Sequence, residues 1–343
     1  MQWILCGHQR IILSGDWRRL ISIKRAIVFG NHQSYMDWWY IAILAHYTRN
    51  TSNVVFLLRE VFSYIPVAGL CSHLVGFIFL RQDWATDAPR LERGLRGIPA
   101  RSADPVWLVL FPEGGFPHPV NYAKARTYIA KAEAAGGGTL YVPRMPEYVV
   151  LPRNKGIRGC IDNLNPGIRD GAAASEATPL LESTGGNVDT LVDLTIGFLP
   201  SPRFRETGLY PGDAFNPFKV LCIGGSKVLS TVCIDTRIVP SHLSEAVIRS
   251  NEQQFDVWLK KLWEGKDNLM KHFEQNGTFE KYACNEYATS GLGIEEGVEG
   301  SGFVVSQQET VEFYVTPKWV DVFNVLFATV AVWGMILLFI TFL

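Results

Sequence analysis

The chain has six cysteines but no CxxC pair or other metal-ligand spacing among them. Cys6, Cys71, Cys160, Cys222, Cys233 and Cys284 are scattered, which excludes a zinc ribbon and a disulfide-stapled secreted scaffold. They read as reduced, mostly buried thiols, and no metal site is expected. Net charge is scarce too. Over 343 residues, 32 Lys+Arg face 33 Asp+Glu for a formal −1, so nothing calls for a nucleic-acid partner. No internal repeat is evident. No signal peptide is expected, because Trp3-Ile4-Leu5-Cys6 is too short for an apolar core region. Residues 282–317 hold several Glu and no Lys or Arg, and read as an acidic, polar connector.

What is present is uneven. Hydrophobic residues make up 48%, enough for one large α/β domain or two small ones. Residues 81–158 carry twelve Lys/Arg against seven Asp/Glu, a local +5. Such a face suits phosphate-bearing substrates and anionic membrane surfaces, and equally describes a solvated mixed surface. Val322 to Leu343 is an uncharged run of 22 residues, preceded by Lys318, Trp319 and Asp321. A run of about 20 apolar residues spans a bilayer core, so 319–343 is expected to be a transmembrane helix. A second apolar region, Val54 to Leu80, is broken by Arg59, Glu60, Pro66 and Gly69. It predicts a helical hairpin and a strand, with one face resting on a membrane. Residues 167–187 are rich in Gly, Ala, Ser and Thr and read as a flexible loop. Asn50-Thr51-Ser52 and Asn276-Gly277-Thr278 match the glycosylation pattern, silent if the domain faces the cytosol.

Two short motifs carry chemistry. The first is Asn31-His32-Gln33-Ser34-Tyr35-Met36-Asp37. A hydroxyl is a poor nucleophile while it keeps its proton. A neutral imidazole within reach removes that proton as the bond forms. A carboxylate beside it sets the tautomer and stabilises the imidazolium. In a regular helix, positions five apart lie roughly 140° around the axis, from ~3.6 residues per turn. His32 and Asp37 therefore meet only if His32 sits at a helix entry and Asp37 about one turn inside. The flanks fit. Ala26-Ile27-Val28-Phe29 is strand-like, Gly30-Asn31 breaks it, and Asn31 or Ser34 could cap a helix that starts at Met36-Asp37-Trp38. Alone, H-x4-D describes a loop histidine and a first-turn aspartate equally well.

The second motif lies some eighty residues on. Val106-Trp107-Leu108-Val109-Leu110-Phe111 reads as a strand buried on both faces, and Pro112-Glu113-Gly114-Gly115 ends it. Glycines let a ligand approach the backbone, whose successive amides can form an anion nest. Two further patterns complete a series. Gly76-Phe77-Ile78-Phe79-Leu80-Arg81 is a strand running into an arginine. Val149-Val150-Leu151-Pro152-Arg153-Asn154-Lys155-Gly156 is a strand running into proline and basic residues.

Taken together, the four segments resemble the four blocks of the glycerolipid acyltransferases, in order and spacing, over about residues 20–280. The resemblance implies an α/β fold with a mixed central sheet flanked by helices, like that of glycerol-3-phosphate acyltransferases. It also implies acyl transfer from acyl-CoA to a lysolipid hydroxyl. It assigns His32 as base and Asp37 as its orienter. Arg81 with Glu113, Gly114 and Gly115 falls on the acceptor phosphate. Pro152, Arg153 and Lys155 fall beside acyl-CoA, although Arg153 and Lys155 read equally as solvated loop charges. No cofactor is implied, since acyl-CoA is a co-substrate, and no protein partner. Membrane lipid is the expected environment, at the endoplasmic reticulum with the catalytic domain cytosolic. Asp193-Leu194-Thr195-Ile196-Gly197 resembles a late strand of the same fold. Trp258 to Phe279 resembles the C-terminal helix of the eukaryotic lysophospholipid branches.

The family's usual residue at Gly115 is Thr or Ser. Phe-Pro-Glu-Gly-Gly-Phe resembles the lysophosphatidylglycerol branch, which makes that lysolipid the expected acceptor. Phosphatidate formation from 1-acylglycerol-3-phosphate is the alternative, and an inactive membrane-anchored lipid-binding or scaffold protein a second. Members of the branch begin with hydrophobic segments ahead of the first block. This chain reads as a short isoform or an incomplete gene model. The expected organisation is an N-terminal stub at 1–20, an acyltransferase domain at 21–280, the connector at 281–318 and the span at 319–343.

Overall fold

The computed structural model describes residues 9–64, 68–96, 98, 104–134, 141–165, 188–199, 210, 212, 231–279 and 310–315. Among them eight strands form one sheet: β1 (Gln9–Gly15), β2 (Arg25–Gly30), β3 (Val54–Arg59), β4 (Ile78–Leu80), β5 (Val106–Leu110), β6 (Leu191–Leu199), β7 (Thr231–Ile238) and β8 (Val311–Val315). Their spatial order is β4-β3-β5-β2-β6-β7-β1-β8. The β4-β3-β5-β2-β6 block and the β7–β1 pair are parallel. The β6–β7 and β1–β8 pairs are antiparallel, so the sheet is mixed.

Burial explains why these segments are strands. Every residue of β5 is buried, the pattern of a strand covered on both faces. Successive side chains leave a strand on opposite faces. Leu108 and Leu110 pack with α3 (Trp84–Leu95), α5 (Asn154–Leu164), α6 (Ser241–Arg249) and α7 (Glu252–Asn276). Trp107 and Val109 pack with Tyr40, Ile41 and Leu44 of α1 (Asp37–Tyr47) on the other face. The remaining described α-helices are α2 (Ala68–Leu74) and α4 (Pro119–Ala134). α7 is well delimited. Asn251 and Gln254 form a reciprocal capping box at its start, and Gly277 ends it at φ 70°, a left-handed conformation that costs glycine little.

Parallel register positions the site. Phe29 pairs with Leu110, Phe56 with Val109, and Arg59 with Leu80. The carboxyl ends of β2, β5, β3 and β4 therefore open on one edge, where open α/β sheets gather their ligands. His32 follows β2, Arg81 follows β4 and Glu113 follows β5.

The sheet reaches beyond the limits expected for the domain. β1 comes from the expected N-terminal stub and pairs with β7, Ile12 opposite Cys233. β8 comes from the expected acidic connector and pairs with β1. Its acidic surroundings mask the Val-Glu-Phe-Tyr-Val alternation, which is a strand pattern. The helical hairpin and strand expected in Val54–Leu80 are found, as a 3-10 helix packed against α2 and then β4, but an unexpected strand precedes them. The segment opens with strand β3, passes a 3-10 turn at Glu60–Tyr64 and α2, and closes with β4. A short continuous apolar run fits a buried strand and a buried helix equally, and here pairing with β5 decides. Among the described residues no helix is long and apolar enough to cross a membrane. The expected span at 319–343 and the loop at 167–187 lie outside the described residues, as does most of the connector.

Candidate active site

α1 begins at Asp37, and His32 stands in the loop just before it. Asp37 is fully buried, and its Oδ2 accepts three hydrogen bonds. The His32 ring gives one from Nδ1 at 2.8 Å, and the backbone N–H groups of Gln33 and Ser34 give the others at 2.6 and 2.9 Å. Asp37 thus organises the turn that carries the histidine, which explains the spacing of five. Burial raises its carboxyl above the usual range, against the pull of His32 and the two amides. The His32 ring stacks on Phe111 at 4.3 Å and meets Phe116 at 4.2 Å. Its side chain keeps 19% exposure, and its Nε2 has no hydrogen bond among the described residues. The result is an imidazole held on one nitrogen and open on the other.

The expected cap residues act differently. Asn31 exchanges two hydrogen bonds with Ile196 of β6, through Nδ2 to the carbonyl at 3.0 Å and through Oδ1 from the N–H at 2.8 Å. It ties the histidine loop to the neighbouring strand instead of capping a helix. Ser34 Oγ accepts from Met36 N–H at 3.2 Å.

Glu113 sits behind the histidine with 1% exposure. Its Oε2 accepts the His32 main-chain N–H at 3.1 Å, and its Oε1 accepts the Trp263 indole N–H at 3.0 Å. Val150 N–H also donates to it. Burial pushes its carboxyl up to about 8, although those donors and the Lys266 charge pull the other way. The structure thus brings Glu113 to His32 as a support and turns its carboxyl into the protein. The turn surface consists of Gly114 and Gly115. Gly114 has φ 64° and donates its N–H to Phe111 at 3.1 Å, a geometry that favours glycine. A Cβ on Gly115 would stand 2.7 Å from the Asn121 amide, which is bonded to the Phe116 carbonyl. A Thr or Ser here would displace that side chain.

Arg81 is half exposed and bonded from Nε to Glu60 Oε2 at 2.6 Å, while Arg90 holds the other oxygen at 2.7 Å. The two guanidiniums, Arg81 first, hold the Glu60 carboxyl below the usual range. Next to it, Gln82 Nε2 donates to the Gly114 carbonyl at 2.6 Å, which joins the arginine's loop to the glycine turn. Arg153 also reaches that turn. Its N–H donates to Pro112 at 2.8 Å, and its guanidinium carbon lies 3.2 Å from a Cβ built on Gly114. Pro152 is buried and Lys155 is exposed on the first turn of α5. His32, Asp37, Glu113, Gly114 and Arg153 therefore form one cluster, with Arg81 linked through Gln82, whereas Lys155 makes no hydrogen bond to it among the described residues.

Sequence reasoning missed the supports. Phe111 and Phe116 clamp the imidazole, and Trp263 and Lys266 lie behind it. Lys266 is buried and bonds Asp193 Oδ1 at 2.5 Å, Leu194 O at 2.7 Å and Thr195 Oγ1 at 3.0 Å. Burial raises the Asp193 carboxyl against the Lys266 charge. A lysine and a tryptophan in an otherwise amphipathic helix were the available signal. Asn50, in one expected glycosylation pattern, is fully buried with its amide on Leu20 and Thr48 carbonyls. No group of three or more His, Cys, Asp or Glu among the described residues could hold a metal ion.

Fold and site together define an α/β protein with a histidine–aspartate centre at the carboxyl edge of a mixed sheet. Residues 16–152 match the acyltransferase family and residues 241–298 the acyltransferase C-terminus family. An uncharacterised acyltransferase of Schizosaccharomyces pombe is 30% identical, with 76% of this chain and 63% of that protein aligned. A probable 1-acyl-sn-glycerol-3-phosphate acyltransferase of Arabidopsis thaliana is 27% identical over 79% of this chain and 58% of its own length. The 2-acyl-1-lysophosphatidylinositol acyltransferase of Saccharomyces cerevisiae is 24% identical over 75% and 63%. No solved structure matches. The chain belongs to the glycerolipid acyltransferase family. It spans about three fifths of the length of these curated relatives.

Proposed function

We propose that this protein transfers an acyl chain from acyl-CoA to the free hydroxyl of a lysoglycerophospholipid. The observation that carries the reading is the His32–Asp37 pair, 2.8 Å apart with Nε2 open, at the sheet edge that also presents the glycine turn. The acceptor hydroxyl gives its proton to His32 Nε2 as its oxygen attacks the thioester carbon. Asp37 keeps the proton on Nδ1 and offsets the imidazolium charge. The tetrahedral intermediate expels the CoA thiolate, which takes the proton back from Nε2. Arg81 exchanges Glu60 for the acceptor phosphate. Arg153, over Gly114, faces acyl-CoA with Pro152 and Lys155. No metal or prosthetic group takes part.

The acceptor arrives from a bilayer. Val61, Tyr64, Leu70, Leu74 and Val75 are exposed large apolar residues within one short stretch around α2, beside Arg59 and Arg81. Gly69 packs on Ser63, with 2.1 Å from a built Cβ to the Ser63 carbonyl, which leaves Leu70 and Leu74 outward. The apolar run Val322–Leu343 adds a membrane anchor, at the endoplasmic reticulum. Lysophosphatidylglycerol is the acceptor that Gly115 and Phe116 favour. The two relatives carry 1-acyl-sn-glycerol-3-phosphate and 2-acyl-1-lysophosphatidylinositol as acceptors in their names, the first as a probable assignment. Microsomes that express the full chain, given labelled oleoyl-CoA and a panel of lysolipids, test the reading. A product with one headgroup, lost in His32→Ala, is expected; no acylation above control microsomes would overturn it.

A further inference from the structure

Trp263, Lys266, Asp267 and Met270 stand at i, i+3, i+4 and i+7 on α7, one stripe of the helix. Each reaches the His32 loop by a separate route. The Trp263 indole N–H holds Glu113, which holds the His32 main chain. Lys266 gathers Asp193, Leu194 and Thr195 of β6, next to Ile196, where Asn31 is tied. Asp267 Oδ1 accepts the N–H groups of Glu147, Tyr148 and Val149, and the Tyr148 carbonyl accepts Gln33 Nε2 at 3.2 Å. Met270 Sδ lies 3.7 Å from Asn31 Nδ2. Trp263 also stacks on Phe29, in the strand that leads into the loop.

We infer that Trp263 is a positioning residue: its indole N–H fixes the Glu113 carboxyl, which fixes the His32 backbone and so the direction of Nε2. The inference rests on the reading of His32 as general base. α7 supplies its own control. Trp258 is equally buried, yet its indole N–H has no hydrogen bond among the described residues. Trp→Phe removes similar volume at both sites but a bond at only one.

The test compares Trp263→Phe with Trp258→Phe in the full chain. Acyl transfer is one readout. The other is the imidazole resonance of His32 in nitrogen-15 histidine-labelled protein. Trp263→Phe is expected to lower kcat about 10- to 100-fold further than Trp258→Phe, because small displacements of a reacting group have effects of that order. Both KM values should stay within about twofold, and the His32 signal should move only in Trp263→Phe. Combined with Glu113→Gln, the loss should fall well short of the product of the two, as for residues that act as a unit. Equal kcat in the two tryptophan variants overturns the inference, as does a His32 signal that shifts in neither. If the wild-type chain transfers no acyl group, the acyltransferase reading fails, and the resonance comparison still decides whether Trp263 positions His32. If Trp263→Phe does not fold, Glu113→Gln, with its volume kept and one acceptor replaced by a donor, carries the comparison against Trp258→Phe.

Discussion

His32 and Arg81 both follow strands that end at the same sheet edge, yet they are held by opposite means. His32 is bonded through its ring to buried Asp37 and through its main chain to buried Glu113, with phenylalanines on two sides. Arg81 is half exposed on a loop, paired with a surface carboxylate, beside a stretch of exposed apolar side chains. Charge pairs between exposed groups are weak and exchange readily, whereas a buried charged group is costly to leave unpaired. The histidine side is therefore preorganised for one geometry, and the arginine side is left free to trade partners. The acyl transfer proposed above would use both, a fixed base and an adaptable grip on the incoming molecule.

The sharpest way to break this contrast is His32→Ala. Acyl transfer should fall by about 10²–10⁴-fold, the usual range for a lost general base, with membrane association unchanged. Asp37→Asn should come close to it, and the double variant should be no worse than His32→Ala. Radiolabelled product formation measures all three, and activity above a third of wild type in His32→Ala would end the assignment.

Stability against pH probes the buried side without reference to activity. Glu113 is raised from 4.5 to about 8, so the folded state holds a proton that the unfolded chain releases. Its contribution is fully present below about pH 4.5 and is lost as pH rises towards 8. The loss is on the order of a few kcal/mol, because each tenfold change in proton affinity is worth ~1.4 kcal/mol. Urea unfolding between pH 5 and 9 should show a decline that is shallower in Glu113→Gln, and parallel profiles would contradict the burial effect.

On the exposed side the effects are smaller and fall on binding. Arg81→Ala should raise the acceptor KM roughly 10- to 150-fold, from ~1.5–3 kcal/mol for a hydrogen bond to a charged group, and leave the acyl-CoA KM nearly unchanged. Arg81→Lys should recover only part, since an ammonium lacks the guanidinium fork. An acyl-CoA KM that shifts instead reverses the assignment of donor and acceptor. The smallest effect is expected from Leu70→Ser with Leu74→Ser. Binding to phosphatidylglycerol-containing vesicles should weaken a few-fold, because each buried apolar side chain contributes roughly 1.5–3 kcal/mol and these two insert only in part. Co-sedimentation measures it, and an unchanged partition would remove the patch from the binding surface.

Much of the buried side was legible in the sequence because its parts are local. A strand, a glycine break and a helix start fix where His32 and Asp37 stand, and the run Val106–Phe111 announces β5. The supports were less legible because they join distant segments. Trp263 lies 150 residues from Glu113, and Asn31 lies 165 residues from Ile196. No local period reports such a bond, so Glu113 looked like a ligand group and Asn31 like a cap. The outer strands were hidden for another reason. β1 and β8 are edge-ward and short, with a polar or acidic residue inside each, and only their pairing identifies them. Val54–Leu80 was ambiguous because an apolar run without a clear period suits strand and helix alike.

The distance between Glu113 and Trp263 has a consequence in time as well as in space. During synthesis His32, Asp37, Arg81 and Glu113 all leave the ribosome well before Trp263. At ~5–20 residues per second, the 150-residue gap back to Glu113 is on the order of 10–30 seconds. For most of that interval β1 also waits for β7, its parallel neighbour. A nascent chain at this stage carries the histidine, arginine and glycine-turn segments, and none of the supports that α7 brings. A message that stops before residue 263 therefore yields a chain that carries His32, Asp37 and Glu113 without the α7 contacts that hold them, and the arrival of α7 sets when the histidine loop is fixed.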